Sequence, residues 1–231
     1  MAHWKNIPGN LTKISVGSRS NVWGVNSAGA IYRFTNDDAN PWVNVPGGLV
    51  DISAAADGTV WGVNANNQIY RYTGDLGSSH WKGISGGLTR ISAGSRSNVW
   101  GVNSAGGIYR FTNDDANPWV NVPGGLVDIS SAADGTVWGV NANNQIYRYT
   151  GDLGSSHWKG ISGGLSGISA GSRSNVWGVN SAGGIYRFTN DDANPWVGIP
   201  GGLKEISAAA DGTVWGVNSA GAIYRYTGDQ P

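Results

Sequence analysis

The chain has 231 residues, 38 of them glycine and 12 tryptophan, and its 15 basic residues balance 15 acidic ones. That balance leaves no basic surplus for nucleic acid or an anionic membrane surface. No apolar run is long enough to insert in a bilayer, and the tryptophan content argues against disorder. Cysteine is absent and Met1-Ala2-His3-Trp4-Lys5 leads into no apolar h-region, so the expected setting is reducing and cytoplasmic.

The first repeat sets the pattern for the rest. A strand is expected at His3-Trp4-Lys5-Asn6-Ile7, then a turn, then a small-residue strand at Lys13-Ile14-Ser15-Val16-Gly17. Two more follow at 21–26 and 31–35, and another at Trp42 to Val45. Turn-forming runs separate them, such as Asn26-Ser27-Ala28-Gly29 and Asn36-Asp37-Asp38-Ala39-Asn40-Pro41. Short segments rich in Val, Ile, Tyr and Trp between such turns read as strands.

The unit then recurs. Val-Trp-Gly-Val-Asn returns with Trp23, Trp61, Trp100, Trp138, Trp177 and Trp215, at steps of 38 or 39 residues. Trp4, Trp42, Trp81, Trp119, Trp158 and Trp196 keep the same interval. Four strands per unit of this length match a β-propeller blade, and the competing repeats of similar length are helical. The expected fold is therefore all-β: a single six-bladed propeller over 1–231, with four antiparallel strands per blade. The last unit lacks its fourth strand, and the N-terminal strand is expected to supply it and close the ring.

The units alternate between two types. Units one, three and five carry Gly-Ser-Arg-Ser-Asn before Val-Trp and Asn-Asp-Asp-Ala-Asn-Pro after Arg-Phe. The others carry Ala-Asp-Gly-Thr and Tyr-Thr-Gly-Asp. Residues 81–118 and 158–195 differ only at Thr89/Ser166 and Arg90/Gly167. Recent duplication and deliberate symmetrisation both explain this. The sequon at Asn10-Leu11-Thr12 stands where the other units have Gly, and it reads as drift.

Gly-Gly-Leu, Ile-Ser, Asp-Gly-Thr-Val-Trp-Gly-Val-Asn and Ile-Tyr-Arg resemble the tectonin repeat, and the whole chain is similar to the small fungal tectonin lectins. The resemblance implies a propeller that binds glycans, with O-methylated sugars as ligands and a role in defence against microbes or nematodes.

From the residues alone, pairing Asn26 opposite Ile31 would place Gly24 opposite Arg33. Gly24, Asn26, Ile31 and Arg33 would then share one face and Trp23, Tyr32 and Phe34 the other. A sugar site needs hydroxyl partners and an apolar wall. Arg33 offers a donor fork, Asn26 both donor and acceptor, Gly24 open space, and an outer tryptophan a wall. The candidate ligand residues are thus Asn26, Asn64, Asn103, Asn141, Asn180 and Asn218; Arg33, Arg71, Arg110, Arg148, Arg187 and Arg225; Gly24, Gly62, Gly101, Gly139, Gly178 and Gly216; and Trp4, Trp42, Trp81, Trp119, Trp158 and Trp196. Each has a plain structural alternative. The inner tryptophans pack between blades, the outer ones clamp neighbours, the arginines hold carboxylates and the asparagines cap turns.

Other chemistries fit less well. His3, His80 and His157 lie in alternate units, about 35 Å apart if they sit on outer strands, so they share no metal. The pairs Asp37-Asp38, Asp114-Asp115 and Asp191-Asp192 read as solvated turns. No catalytic set or cofactor motif is present, so no enzyme, metal or cofactor is expected. The expected partners are glycans. A protein scaffold and a symmetrised propeller without ligand are the alternatives, and homo-oligomerisation is left open. Sites built on the turns after strands two and four would number six. Sites on the turns after strands one and three would number three. The first arrangement is expected.

Overall fold

The computed structural model describes residues 3–74, 80–151 and 157–228. Six four-stranded antiparallel sheets form, and all of the regular structure in the described residues is strand. Blade one pairs Lys13–Ser18, Asn21–Val25, Ile31–Phe34 and Trp42–Val45 in that order. The next four blades repeat this order. The sixth consists of Glu205–Ala208, Val214–Val217 and Ile223–Tyr226, completed by Trp4–Ile7. Trp4 pairs with Tyr226 and Ile7 with Ile223, so the N-terminal strand closes the ring.

The turn after strand two sets the register. Asn26 N donates to Ala30 O and Gly29 N to Asn26 O, leaving a three-residue loop whose last residue, Gly29, has φ +82°. Glycine takes that left-handed conformation readily. In blades two and four Asn67 and Asn144 take it instead, at φ 62° and 61°. The short loop pairs Val25 with Ile31, Gly24 with Tyr32 and Trp23 with Arg33. This register is one residue away from the expectation above, and a one-residue slip moves side chains to the opposite face. Arg33 therefore lies on the face of Trp23, and Gly24 shares a face with Tyr32.

Adjacent blades are joined by aromatic stacks. The inner tryptophan of each blade is fully buried under a Phe or Tyr and an outer tryptophan of the next blade. Trp61, for example, meets Phe111 at 5.0 Å and Trp119 at 6.1 Å, both edge-on. At the closing junction Trp215 meets Phe34 at 5.0 Å and Trp42 at 6.1 Å. All 12 tryptophans of the chain enter these stacks.

The innermost strands line a central channel and are tied by a ring of serines. Ser15 Oγ accepts Ala54 N, Ser53 accepts Ala93 N, Ser92 accepts Ser131 N, and Ser130 accepts Ala170 N. Ser169 accepts Ala208 N, and Ser207 accepts Val16 N to complete the circle. Each inner strand is too far from the next for a sheet ladder, so the hydroxyl bridges the gap. Deleting residues 1–8 is expected to open the sixth sheet and strip Trp4 from Trp177. Size-exclusion chromatography should then show loss of the monodisperse species, and retention of the full-length melting temperature would contradict closure.

Candidate functional site

The expected constellation separates into two rims. Asn26 follows Val25 in the turn after strand two, whereas Arg33 pairs with Trp23. They are three residues apart along the strand, about 10 Å. The asparagines lie at the rim formed by the turns after strands two and four, and the arginines lie toward the other.

The asparagine side chains organise their own turns. Asn26 Oδ1 accepts Ala28 N and Ala30 N at 3.0 and 2.9 Å. Asn218 does the same for Ala220 and Ala222. The amide nitrogens differ by blade: Asn64 and Asn141 donate to Gln68 and Gln145 at 2.8 Å, whereas Asn103 and Asn180 reach Tyr109 and Tyr186 hydroxyls at 3.5 and 3.3 Å.

The space expected beside Gly24 is filled. A Cβ on Gly24 would lie 2.4 Å from Leu11 Cδ1 and 2.8 Å from Lys13 O. Gly62, Gly101, Gly139, Gly178 and Gly216 are filled in the same way by Leu49, Leu88, Leu126, Leu165 and Leu203. The leucine of each Gly-x-Leu crossover needs the bare backbone to lie flat against the blade. Its N–H also bonds the preceding blade's turn, Leu49 N to Gly29 O for instance. These glycines therefore admit a core leucine, and no ligand methyl fits there.

The arginines are engaged. All six guanidinium groups lie over an inner tryptophan ring, between 5.3 and 5.7 Å from its centroid. Three of them also form forked pairs with the second aspartate of the next blade's loop: Arg71 with Asp115, Arg148 with Asp192 and Arg225 with Asp38. Lys82, Lys159 and Lys5 each add a bond of 2.6 Å to the same carboxylate. Arg33, Arg110 and Arg187 also have partners of their own.

The outer tryptophans clamp the preceding blade. Trp42 Nε1 donates to Pro8 O, Trp81 to Pro46 O, Trp119 to Ser85 O, and Trp158 to Pro123 O. Trp196 donates to Ser162 O and Trp4 to Pro200 O. Each carbonyl immediately precedes the first glycine of a crossover. Trp4 is buried, and the other five are half-buried, so they keep a ring edge at the surface.

Two kinds of groove result. On the rim of uniform turns, Asn180, Ser181 and Gly183 of blade five face Gly202, Lys204 and Asn218 at the entry to blade six. A Cβ on Gly48, Gly125 or Gly202 would touch nothing within 4 Å, so this crossover position is the open one. Asn10 takes that place at the closing junction, with its amide donating to Ala220 O. On the alternating rim a groove lies between blades four and five, and a second between blades six and one. The Gly-Asp-Leu-Gly-Ser-Ser run expected on that rim falls largely at 75–79 and 152–156, outside the described residues.

Sequence reasoning missed several of these partners. From sequence the Asp-Asp loops read as solvated turns. In fact only the first aspartate caps its own loop, Asp37 accepting Ala39 N, while the second reaches across the junction. The spacing gave no signal for that contact. The Gly-x-Leu repeat did carry the signal for the leucine plug.

The channel mouth collects Lys13, Asp51, Asp128 and Glu205. Lys13 bonds Glu205, and Arg90 lies 3.9 Å from Asp51 and 4.0 Å from Asp128. Burial pushes Asp51 up, and it pushes Asp128 to about 6. The forked arginine and the lysine hold Asp115 and Asp192 down at about 2. No group of ligands for a metal occurs among the described residues. No helix there is long and apolar enough to cross a membrane.

The Tectonin domain family matches residues 1–118 and 111–231, which together cover the chain. The fold and this match define the class, a six-bladed tectonin propeller. The chain belongs to the Tectonin domain family. A search of curated protein sequences gave no match. Among solved structures, the chain is similar to YCF48 bound to a D1 peptide at 15% identity and TM-score 0.60, covering 98% of this chain and 94% of that one. It is also similar to a streptogramin B lyase at 22% identity and TM-score 0.64, covering 92% and 77%. The WD40 repeats of RRP9 match at 7% identity and TM-score 0.65, covering 98% and 97%. At these identities the likeness concerns the fold alone.

Two tests follow from the site. Gly24→Ala is expected to destabilise by about 1–3 kcal/mol through overpacking against Leu11, read by urea unfolding; an unchanged midpoint would mean that the leucine yields freely. Asp128 titrates higher folded than its ordinary 3.8, so the stability it confers is present below about pH 4 and lost as pH rises through about 6. Asp128→Asn should therefore raise the melting temperature at pH 7 by several degrees and leave it unchanged at pH 4. A larger gain at pH 4 would reverse that sign.

Proposed function

We propose that this chain is a multivalent carbohydrate-binding protein with one site per blade junction on the rim of uniform turns. The observation that carries the reading is the recurrence, in a Tectonin-family ring, of the same groove parts at each junction: a capped Asn turn and a Gly-x-Leu crossover. Asn180 and Asn218 line the groove between blades five and six. Asn26, Asn64, Asn103 and Asn141 stand at the corresponding places in the other blades. Turn amides and carbonyls supply hydroxyl partners, and the half-buried edge of an outer tryptophan supplies the apolar wall.

The ligand class we favour is O-methylated glycans, with a role in defence against microbes or nematodes, as in the tectonin lectins this chain resembles. The open crossover position at Gly48, Gly125 and Gly202 leaves room for the methylated ring, and a methyl set against the tryptophan edge gains on the order of 0.8 kcal/mol. The arginines act behind the site by holding the blades. A protein scaffold would need one unique patch, whereas this surface repeats with the blades. Single sites in so open a groove bind weakly, and repetition compensates through effective concentration.

Calorimetry with a monovalent O-methylated monosaccharide is expected to give five to six sites per chain. Asn10→Gly should bring the sixth junction level with the rest. A surface coated with the same sugar should be bound far more tightly than the free sugar. Equal affinity in both formats would reject multivalency, and absence of binding to either would reject the lectin reading.

A further inference from the structure

On the alternating rim the two kinds of junction differ beside the inner tryptophan. In blades one, three and five, Asn21, Asn98 and Asn175 accept the indole N–H of Trp23, Trp100 and Trp177 at 2.8 Å. The same amides donate across the junction to the carbonyls of Ala55, Ala132 and Ala209. In blades two, four and six the residue is Thr59, Thr136 or Thr213. The indole N–H groups of Trp61, Trp138 and Trp215 are buried there with no acceptor. Native folds rarely leave such donors bare, yet this one recurs three times.

Two grooves of this rim are each lined by such a threonine. Between blades four and five, Thr136 and Tyr149 face Arg173 and Phe188. Trp138, whose buried N–H has no acceptor, packs against two of the groove residues, its ring 5.0 Å from Phe188 and 5.3 Å from the Arg148 guanidinium. Thr213, Arg19 and Phe34 form the same groove between blades six and one.

The charged acceptors in the groove are committed. Asp134 accepts Thr136 N and Arg173 N, and Asp192 is held by Arg148 and Lys159. The donors are not. The Arg173 side chain is exposed and forms no hydrogen bond among the described residues, and the same holds for Arg19 and Arg96 at the equivalent places; their charges help hold Asp134, Asp211 and Asp57 down only at longer range. A groove with spare donors, occupied acceptors and an aromatic edge suits a ligand that brings acceptor-only oxygens on an apolar-faced ring.

We propose that the three junctions leading from an even to an odd blade are sites for an acidic saccharide, distinct from the neutral-sugar rim. Its carboxylate or sulfate group pairs with Arg19, Arg96 or Arg173. Its ring lies against the Phe and Tyr edges. A ligand oxygen that displaces the atoms over the buried indole accepts its N–H. The other three junctions are closed by the asparagine plug.

Tryptophan-labelled protein followed by nitrogen–proton NMR tests this, with methyl β-glucuronide, glucose 6-sulfate and neutral methyl β-glucoside as probes. An acidic probe should shift the indole signals of Trp61, Trp138 and Trp215 and leave those of Trp23, Trp100 and Trp177 in place, with the neutral glucoside at least tenfold weaker. A response to only one acid supports the site and identifies its acid group. The triple variant Thr59→Asn, Thr136→Asn, Thr213→Asn installs the plug already used in the other blades. It should keep the melting temperature and abolish the shifts. Replacing Arg19, Arg96 and Arg173 by Gln should weaken acidic probes about tenfold and leave O-methylated sugar binding unchanged. Equal response to the neutral glucoside, shifts at all inner tryptophans, no shifts, or undiminished binding by the plugged variant would each overturn the proposal. Loss of neutral-sugar binding alone would bear only on the other rim.

Discussion

Everything in this ring depends on the aromatic stack at the blade junction. A four-stranded sheet cannot bury its faces alone, and each blade here offers one inner tryptophan to the next. Trp23 is covered by Tyr72 at 4.9 Å and Trp81 at 6.4 Å, and it carries Arg33 at 5.5 Å. Edge-on aromatic pairs are worth about 0.5–1.5 kcal/mol beyond the area they bury. The outer tryptophan adds direction, because its indole N–H must find a carbonyl on the preceding blade. Its ring occupies the space a side chain at the following glycine would need: a Cβ on Gly9 would lie 2.8 Å from Trp42 Nε1. The tryptophan interval and the glycine-rich crossover are thus one constraint seen from two sides.

The channel side adds backbone accounting. Inner strands converge without pairing, so their N–H groups would be orphans without the serine circle. That circle explains why Ile-Ser recurs in every unit. At the mouth the pattern is imperfect: Asp51 and Asp128 accept Ile91 N and Ile168 N, while Gly167 contributes no side chain beside Asp128. The carboxylates raised by burial and those lowered by Arg–Lys clamps have opposite pH behaviour. The clamps weaken as pH falls toward 2, and the mouth weakens as pH rises through about 6.

The fold was legible because its signals repeat. The two tryptophan series, the turn runs and the unpaired first strand specified blade number, strand number and closure, and each agrees with the observed sheets. The site was legible only in parts. Placing Asn26 opposite Ile31 assumed a four-residue loop, but the left-handed Gly29 closes a three-residue one. That single residue moved Arg33 to the tryptophan face and exposed Gly24 as a seat for Leu11. Alternation within a strand is visible in sequence, but the loop geometry that sets its phase is not. The reach of Asp38 to Arg225, 187 positions away, had no local signal at all.

The two blade types assign different work to the two rims. Parts shared by all units serve the crossover rim, where the leucine, the capped turn and the outer tryptophan recur whichever blade is examined. The alternating rim divides its junctions into complementary pairs. An Asn plug secures one kind of junction through the indole N–H and an alanine carbonyl. The other gives up that plug and is held by Arg71–Asp115, Arg148–Asp192 and Arg225–Asp38, each with a lysine. The clamp arginines cover the tryptophan ring face, at 5.3–5.4 Å from its centroid, and leave the indole N–H without an acceptor. A junction held by a plug satisfies its indole N–H, and a junction held by a clamp leaves it without an acceptor. Exchanging Asn for Thr thus alters what the rim can admit while the ring stays closed.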